Sequence, residues 1–394
     1  MPLIVAHPDT QHSVQAALGL KKAGMLKFLF TGLSLRRPEW FGPALRVLAP
    51  GAHARLAQHR SHVEFDSHEV RVFPSHLVAM RLGERAWSWS QRRFGRCAGR
   101  LGVAEACGVM AFNSNALETF RILRREGLPC ILDQTIVPRR WSDRVGQAEC
   151  DSYPEWGENW AAPSWRAHLE SEEMALADIV LCGSEFCRRT VESEGVSPSK
   201  LVVVEYGTQT ARFTPRPEPR PDDGKMRLLF VGMLSLRKGF HYLMEASRRL
   251  SLLGATVTAV GALRVRPEAL RRYAPVIRAT GHLLHEELPE IYRQHDVYVF
   301  PSLIEGSSLS IYEALASGLP VVTTPNAGSI VRDGVEGLIV PPRDLDALTA
   351  AVERLTRDRD LRISMGRAAR ERAVRFGDWS HYGERLARAL VPFA

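Results

Sequence analysis

"DVYVFPSLIEGSSLSIYEALASGLPVVTTPNAG", residues 296–328, passes from an apolar run through a Pro-Ser turn and a small-residue loop into a helix-like segment. Val297 to Phe300 has the length and the β-branched, aromatic content of a buried strand. Glu305 and Gly306 lie in the loop, a helix is expected to begin near Ser308, and Glu313 falls more than a turn inside it. A helix that starts at the end of a strand turns free backbone amides and its positive dipole end toward the strand edge, which makes an anion site. The two carboxylates then stand on either side of that anion. A lone glutamate pair is usually two solvated charges, but these two surround a helix start that directly follows an apolar strand.

A second stretch points to the same chemistry. In "RLLFVGMLSLRKGFHYLMEA", residues 227–246, a strand over 227–231 ends at Gly232, whose missing side chain allows close approach to the backbone. The loop then presents Arg237 and Lys238, and a helix follows with Phe240, Leu243 and Leu250 facing inward. An arginine fork beside a lysine point charge neutralises a diphosphate without a metal. Taken alone, the pair is equally well read as a solvated basic turn.

Outward from these stretches, short apolar runs alternate with helix-like segments. "LIVA", "KFLF", "GVMAF", "CILD", "DIVLC" and "LVVVE" precede residue 206, and "MRLLFVG", "ATVTAVG", "DVYVFPS", "LPVVTT" and "GLIVPP" follow residue 225. This is the βα alternation of parallel sheets, so the fold class is α/β with two Rossmann-like domains facing a cleft. "TPRPEPRPDDG", 214–224, has no apolar period and reads as a linker. The expected organisation is a first domain over 1–213, the linker, a second domain over 225–376, and a helix over 377–394 that returns to the first domain. In that last segment Trp379, Tyr382, Leu386 and Leu390 share one stripe.

Composition narrows the class. The chain has 394 residues, 45% apolar and 24% charged, with a net charge of +8, which fits a folded protein with an anionic partner. Six cysteines show no CxxC pair, and no metal motif, Walker loop or GxSxG is present. Neither a secretory signal nor a run of about 20 apolar residues is visible, so a cytosolic location is expected. No nucleic-acid recognition module is apparent.

With these residues in view, the carboxy-terminal half resembles family 4 glycosyltransferases of the GT-B architecture. Glu305 and Glu313 match the E-x7-E signature, Arg237 and Lys238 match the basic pair, and Gly318, Pro320, Val321 and Val322 match the following G-x-P-V-V. The resemblance implies retaining transfer of a sugar from a UDP- or GDP-sugar, with no cofactor or metal, to a glycan or lipid-linked acceptor in cell-surface polysaccharide or glycolipid assembly. It also implies roles. Arg237 and Lys238 stabilise the departing diphosphate together with the amides of Ser308 and Leu309, Glu305 and Gly306 meet the donor sugar, Glu313 the ribose, and Gly232, Gly281 and His282 the rest of the nucleotide. Gly281 and His282 are expected after a helix.

The amino-terminal half departs from the family. Thr10, Gln11, His12 and Ser13 stand where many relatives have a glycine-rich loop, and they are either an acceptor loop or a helix start capped at Ser13. After two strands come Asn113, and Asp133 with Gln134, where a family histidine is missing. Asp133 is read either as acceptor of the hydroxyl proton or as a strand-end turn residue. His12, Asn113 and Gln134 are the acceptor-side candidates. Trp141, Trp156, Trp160 and Trp165 form either a sugar-binding wall or the packing of a long loop. Residues 81–100 carry six arginines against one acid, Glu84, with Trp87, Trp89 and Phe94 among them. They suit an anionic membrane surface, or a solvated helix face. Two other classes remain open: a catalytically impaired nucleotide-sugar-binding subunit and a GT-B sugar-nucleotide epimerase.

Overall fold

The computed structural model describes residues 1–9, 12–32, 64–66, 68–73, 84–160, 163–218 and 223–393. Thr10, Gln11, Arg81 and part of the 214–224 segment lie outside the described residues.

Two parallel sheets organise the chain. The first contains β1 (Leu3–His7), β2 (Leu26–Thr31), β3 (Val70–Val72), β4 (Val109–Phe112), β5 (Cys130–Gln134), β6 (Ile179–Cys182) and β7 (Leu201–Val203), in the order β3-β2-β1-β4-β5-β6-β7. The second contains β8 (Met226–Val231), β9 (Ala255–Val260), β10 (Ile277–Gly281), β11 (Val297–Phe300), β12 (Val321–Thr323) and β13 (Gly337–Ile339), in the order β10-β9-β8-β11-β12-β13. Each sheet is a Rossmann-like, doubly wound unit with helices on both faces. Central strands such as β1, β4 and β11 are buried along their whole length, which is why they read as unbroken apolar runs. Val5 pairs with both Leu29 and Met110, and Leu229 with both Thr258 and Tyr298, which fixes β1 and β8 at the centres of their sheets.

Strand order reverses between β1 and β4 and again between β8 and β11. In an open parallel sheet a crevice opens at such a reversal, beyond the carboxyl ends of the strands. His12 and Asn113 follow β1 and β4, and Arg237, Lys238, Glu305 and Glu313 follow β8 and β11.

Two expectations need correction. The span 134–176 is not one long loop: it holds the helices Arg139–Ser152 and Ser164–Leu176. Within it Trp156 is buried and stacks on Tyr273 at 5.8 Å, Trp141 packs on Phe186, and Trp160 donates to Asp143, so none of these three walls the cleft. Ser13 is the first residue of the helix Ser13–Lys22, and His12 precedes it without making a side-chain cap.

The helix Trp379–Leu390 lies against the helix Ser13–Lys22, with Tyr382, Leu386 and Leu390 buried. Contact is made glycine to glycine: a β-carbon on Gly19 would stand 2.5 Å from Gly383 Cα. Asp378 caps this last helix by accepting from Ser380 N, and it also accepts the Thr210 hydroxyl at 2.6 Å. Gly19→Val should therefore destabilise the protein by about 1–3 kcal/mol through overpacking. Urea unfolding checks this, and an unchanged midpoint would show that the two helices are free to separate.

Candidate active site

The two crevices face each other across a cavity of about 890 Å³. His7, Asp9, His12, Asn113, Thr135 and Tyr206 line it from the first sheet, and Arg237, Glu305, Ser307 and Leu309 from the second. The wall toward the first domain also includes Trp87.

On the second-sheet side, Arg237 and Lys238 lie in a short 3-10 turn, Leu236–Lys238, after β8. They are not a solvated turn. Their side chains are only 14% and 12% exposed, and both face Glu305, which contacts Lys238 directly and stands 3.5 Å from Arg237 Nη1. Arg237 also donates to the Ile304 carbonyl at 2.9 Å, and its own carbonyl accepts from Leu303 N, so the turn after β8 holds the loop after β11. Burial, then the adjacent Arg237 charge, pushes the Lys238 ammonium far below its usual range. Burial lowers Arg237 as well, to about 10. Two desolvated cations share one carboxylate here. An incoming anion would favour the charged form of both bases.

The helix Leu309–Ala316 starts at this cluster with no side-chain cap. Leu309 opens onto the cavity, but the Ser308 amide already donates to the Ala327 carbonyl at 3.1 Å, so it is not free for a ligand as expected. Glu313 is buried, accepts the Tyr292 hydroxyl at 2.9 Å and stands 3.1 Å from His285 Nε2. Gly281 ends the edge strand β10 rather than following a helix, and Gly281 and His282 are both exposed. Their loop reaches Glu313 through His285. Gly232 directly follows β8 and donates to the Val260 carbonyl.

On the first-sheet side, Asp133 is not itself a wall of the cavity. It is 2% exposed and lies behind His12, with Oδ2 2.9 Å from His12 Nε2 and Oδ1 accepting the Tyr206 hydroxyl. Gln134 is fully buried, and its amide donates to the Ile136 carbonyl, which removes it from the acceptor side. Asn113 does reach the cavity, where its Oδ1 accepts from the Thr135 hydroxyl at 2.7 Å. Sequence reasoning missed His7, whose position at the last residue of β1 was the available signal. Burial pushes its imidazole down to about 4, and Nδ1 lies 2.7 Å from the Asp9 carbonyl.

The domains meet closely around this cavity. A β-carbon on Gly306 would lie 2.0 Å from the Thr135 carbonyl oxygen, so only glycine lets the loop after β11 approach the end of β5. Ser184 donates to the Gly306 carbonyl. Farther out, Glu158 accepts from Leu236 N at 2.6 Å, and buried Glu149 takes both His241 Nε2 (2.8 Å) and Arg343 Nε (2.7 Å). All six cysteines are unpaired. Among the described residues the one cluster with metal-ligand spacing, Asp66, His68 and Glu69, does not line the cavity, and Glu69 is held by Lys21 at 2.6 Å.

Residues 225–358 match the family described as Glycosyl transferases group 1. Over 222 residues the chain is 33% identical to the glycogen synthase of Mycobacterium tuberculosis, covering 54% of this chain and 53% of that protein. The chain thus spans about half the length of the curated relatives it matches. Sucrose-phosphate synthase from Thermosynechococcus elongatus superposes with a TM-score of 0.70 at 19% identity, and Anabaena HepE in complex with UDP with 0.66 at 15%, each over 100% of both chains. At those identities the likeness establishes the fold, which is that of GT-B glycosyltransferases. The sequence matches support a glycosyltransferase.

The Glu149–His241 contact sets a pH dependence. Burial above all holds His241 below its ordinary value, so the folded protein takes up a proton there less readily than the unfolded chain, and stability is lost as the pH falls through about 6.5. Glu149 is lowered as well, because its partners outweigh burial, and its contribution is lost at still lower pH. Across about pH 7 to pH 5 buried His7 adds to this loss and buried Glu173, raised to about 8, opposes it, so the expected outcome is a difference: the melting temperature of His241→Asn should fall less, or rise more, than that of the wild type over that range. An unchanged slope in the variant would remove His241 from the account.

Proposed function

We propose that the chain is a retaining family 4 glycosyltransferase that moves a hexosyl group from a nucleoside-diphosphate sugar, UDP- or GDP-linked, to a glycan or lipid-linked acceptor. The observation that carries this reading is the buried Arg237–Lys238–Glu305 cluster at one strand-order reversal, facing His12 and Asn113 at the other across one cavity. Residues 225–376 hold the donor and residues 1–213 the acceptor, joined through 214–224.

The residues divide the work by charge. Arg237 and Lys238 take the diphosphate and stabilise it as it leaves, and the uncapped start of the helix at Leu309 adds its dipole. Glu305 turns from its cations toward hydroxyls of the transferred sugar, beside the Gly306 backbone. Glu313, oriented by Tyr292 and His285, takes the ribose, and the exposed Gly281–His282 edge lies beside the base. Across the cavity His12 meets the acceptor hydroxyl, with Asp133 holding its ring, and Asn113 flanks it. No metal is needed for leaving-group stabilisation by fixed cations.

The acceptor's setting follows from the helix Glu84–Ala104. Arg85, Arg92, Arg93, Arg96 and Arg100 are exposed together with Trp89, while Phe94 is buried and Trp87 turns toward the cavity. This face suits the anionic inner surface of a membrane, where lipid-linked glycans for cell-surface polysaccharide are assembled. No helix among the described residues is long and apolar enough to cross a membrane. Sedimentation with vesicles rich in anionic lipid at low salt should carry the protein down, and failure to co-sediment would detach the chain from the membrane.

Thermal stabilisation by UDP and GDP tests the donor site. A ligand at 100 times its dissociation constant adds roughly 2.7 kcal/mol. The shift should vanish in Lys238→Met combined with Glu305→Gln, a pair that removes one charge of each sign and leaves Arg237 on the Ile304 carbonyl. Glu313→Gln should weaken nucleotide binding more than Glu305→Gln. His12→Ala should stop transfer while leaving nucleotide binding in place. Unchanged nucleotide affinity in the Lys238 and Glu305 double variant would sink the donor assignment.

A further inference from the structure

A second cavity, of about 410 Å³, lies on another face of the second domain, between the segment Pro215–Pro217, the turn Ser317–Pro320 and the helix Arg359–Phe376. None of its residues lines the cleft. Among the described residues six arginines surround it, Arg216, Arg293, Arg359, Arg362, Arg367 and Arg370, against one carboxylate, Asp296. Arg216 is 3.5 Å from Asp296, and Arg293 is paired with Glu290. Among the described residues the other four have no carboxylate partner.

We propose that this cavity is a separate anion site, taking the phosphate monoester of a small phosphorylated metabolite. Three features carry the inference. Four arginines without carboxylate partners around one concavity repel each other, and a dianion relieves that repulsion while accepting forked hydrogen bonds. Arg362 and Arg370 are already oriented. Arg362 Nη1 donates to the Leu355 carbonyl, and Arg370 Nη1 to those of Thr210, Phe213 and Ala316 at 2.8–2.9 Å, which leaves Nε and Nη2 of each for a ligand. Finally, Ser317 lines the cavity with a buried hydroxyl oxygen that has no hydrogen-bond partner, a group that a phosphate oxygen would satisfy.

The volume exceeds what a bare phosphate fills and falls in the range of small-ligand pockets. The mixed apolar lining, from Pro215, Leu319, Pro320 and Ile363, suits the carbon skeleton of a sugar phosphate. Because Arg370 grips the chain as it leaves the first domain, a ligand here sits on the connection between the domains.

Calorimetric titration of the full chain with inorganic phosphate, glucose 6-phosphate and glucose provides the test. Binding of a phosphate ligand but not glucose is expected, with affinity unchanged in Lys238→Met/Glu305→Gln, which carries the altered cleft. Arg359→Ala combined with Arg367→Ala changes only exposed side chains and should weaken binding about tenfold or more. Ser317→Ala gives a second, milder variant with the same direction. Tighter binding of glucose 6-phosphate than of phosphate is expected, and equal affinity would overturn the monoester in favour of inorganic phosphate. The proposal is overturned if neither phosphate ligand binds, if the double arginine variant binds as wild type, or if the cleft variant abolishes binding.

Discussion

Two cations and one carboxylate, Arg237, Lys238 and Glu305, are taken out of water where the two domains meet. A buried ion cluster is weak evidence for stability, because the cost of desolvation rivals the attraction it gains. Its consequence is geometric. Arg237 bonds through its carbonyl and its guanidinium to the loop after β11, so the ends of β8 and β11 are held as one unit. The helix Leu309–Ala316 then has a fixed origin, and with it Leu309 and Glu313. Lys238 lies 5.1 Å from the Phe300 ring centroid, so its apolar surroundings are the core of the sheet itself. The two bases and their carboxylate are therefore built into the domain's interior rather than displayed on its surface.

The first domain meets this cluster through a different chemistry. His12 and Asp133 form a buried pair closed off by Tyr206, and Tyr206 packs in turn on Tyr382 of the last helix. The last helix thus belongs physically to the first domain's crevice, although it follows the second domain in sequence. Two fixed walls result, one cationic and one of neutral or paired groups. That asymmetry suits a reaction in which charge develops on one reactant only.

Reading order from the sequence succeeded where burial was complete. β1, β4, β8 and β11 are buried on both faces, so their apolar runs were unambiguous, and the loops they end in carried Arg237, Lys238 and Glu305 into view. It failed at the edges. β3 is three residues of Val-Arg-Val and β10 is half exposed, so neither presents an apolar run, and Gly281 was placed after a helix for that reason. The other failures share a physical cause: whether a polar residue at a strand end faces the crevice or the core depends on its tertiary partners. Asp133 and Gln134 are adjacent at the end of β5, yet one is held by His12 and Tyr206 and the other folds back on Ile136. His12 and Asp133 are 121 residues apart, and no local pattern could pair them.

The same limit applies to the contact between domains. Glu149, His241 and Arg343 come from three distant segments, and Trp156 wedges against Tyr273 from the other domain. Aromatic wedges give this boundary area, and the ionic contacts give it direction and sensitivity to conditions. Inter-domain boundaries within a chain resemble transient interfaces, polar enough to open. At Gly306 the approach is backbone to backbone, so closure there tolerates no side chain, while the cavity beside it stays large enough for two substrates. Three elements both close the domains and line the cavity: the Arg237 turn, Thr135 at the end of β5, and the loop after β11.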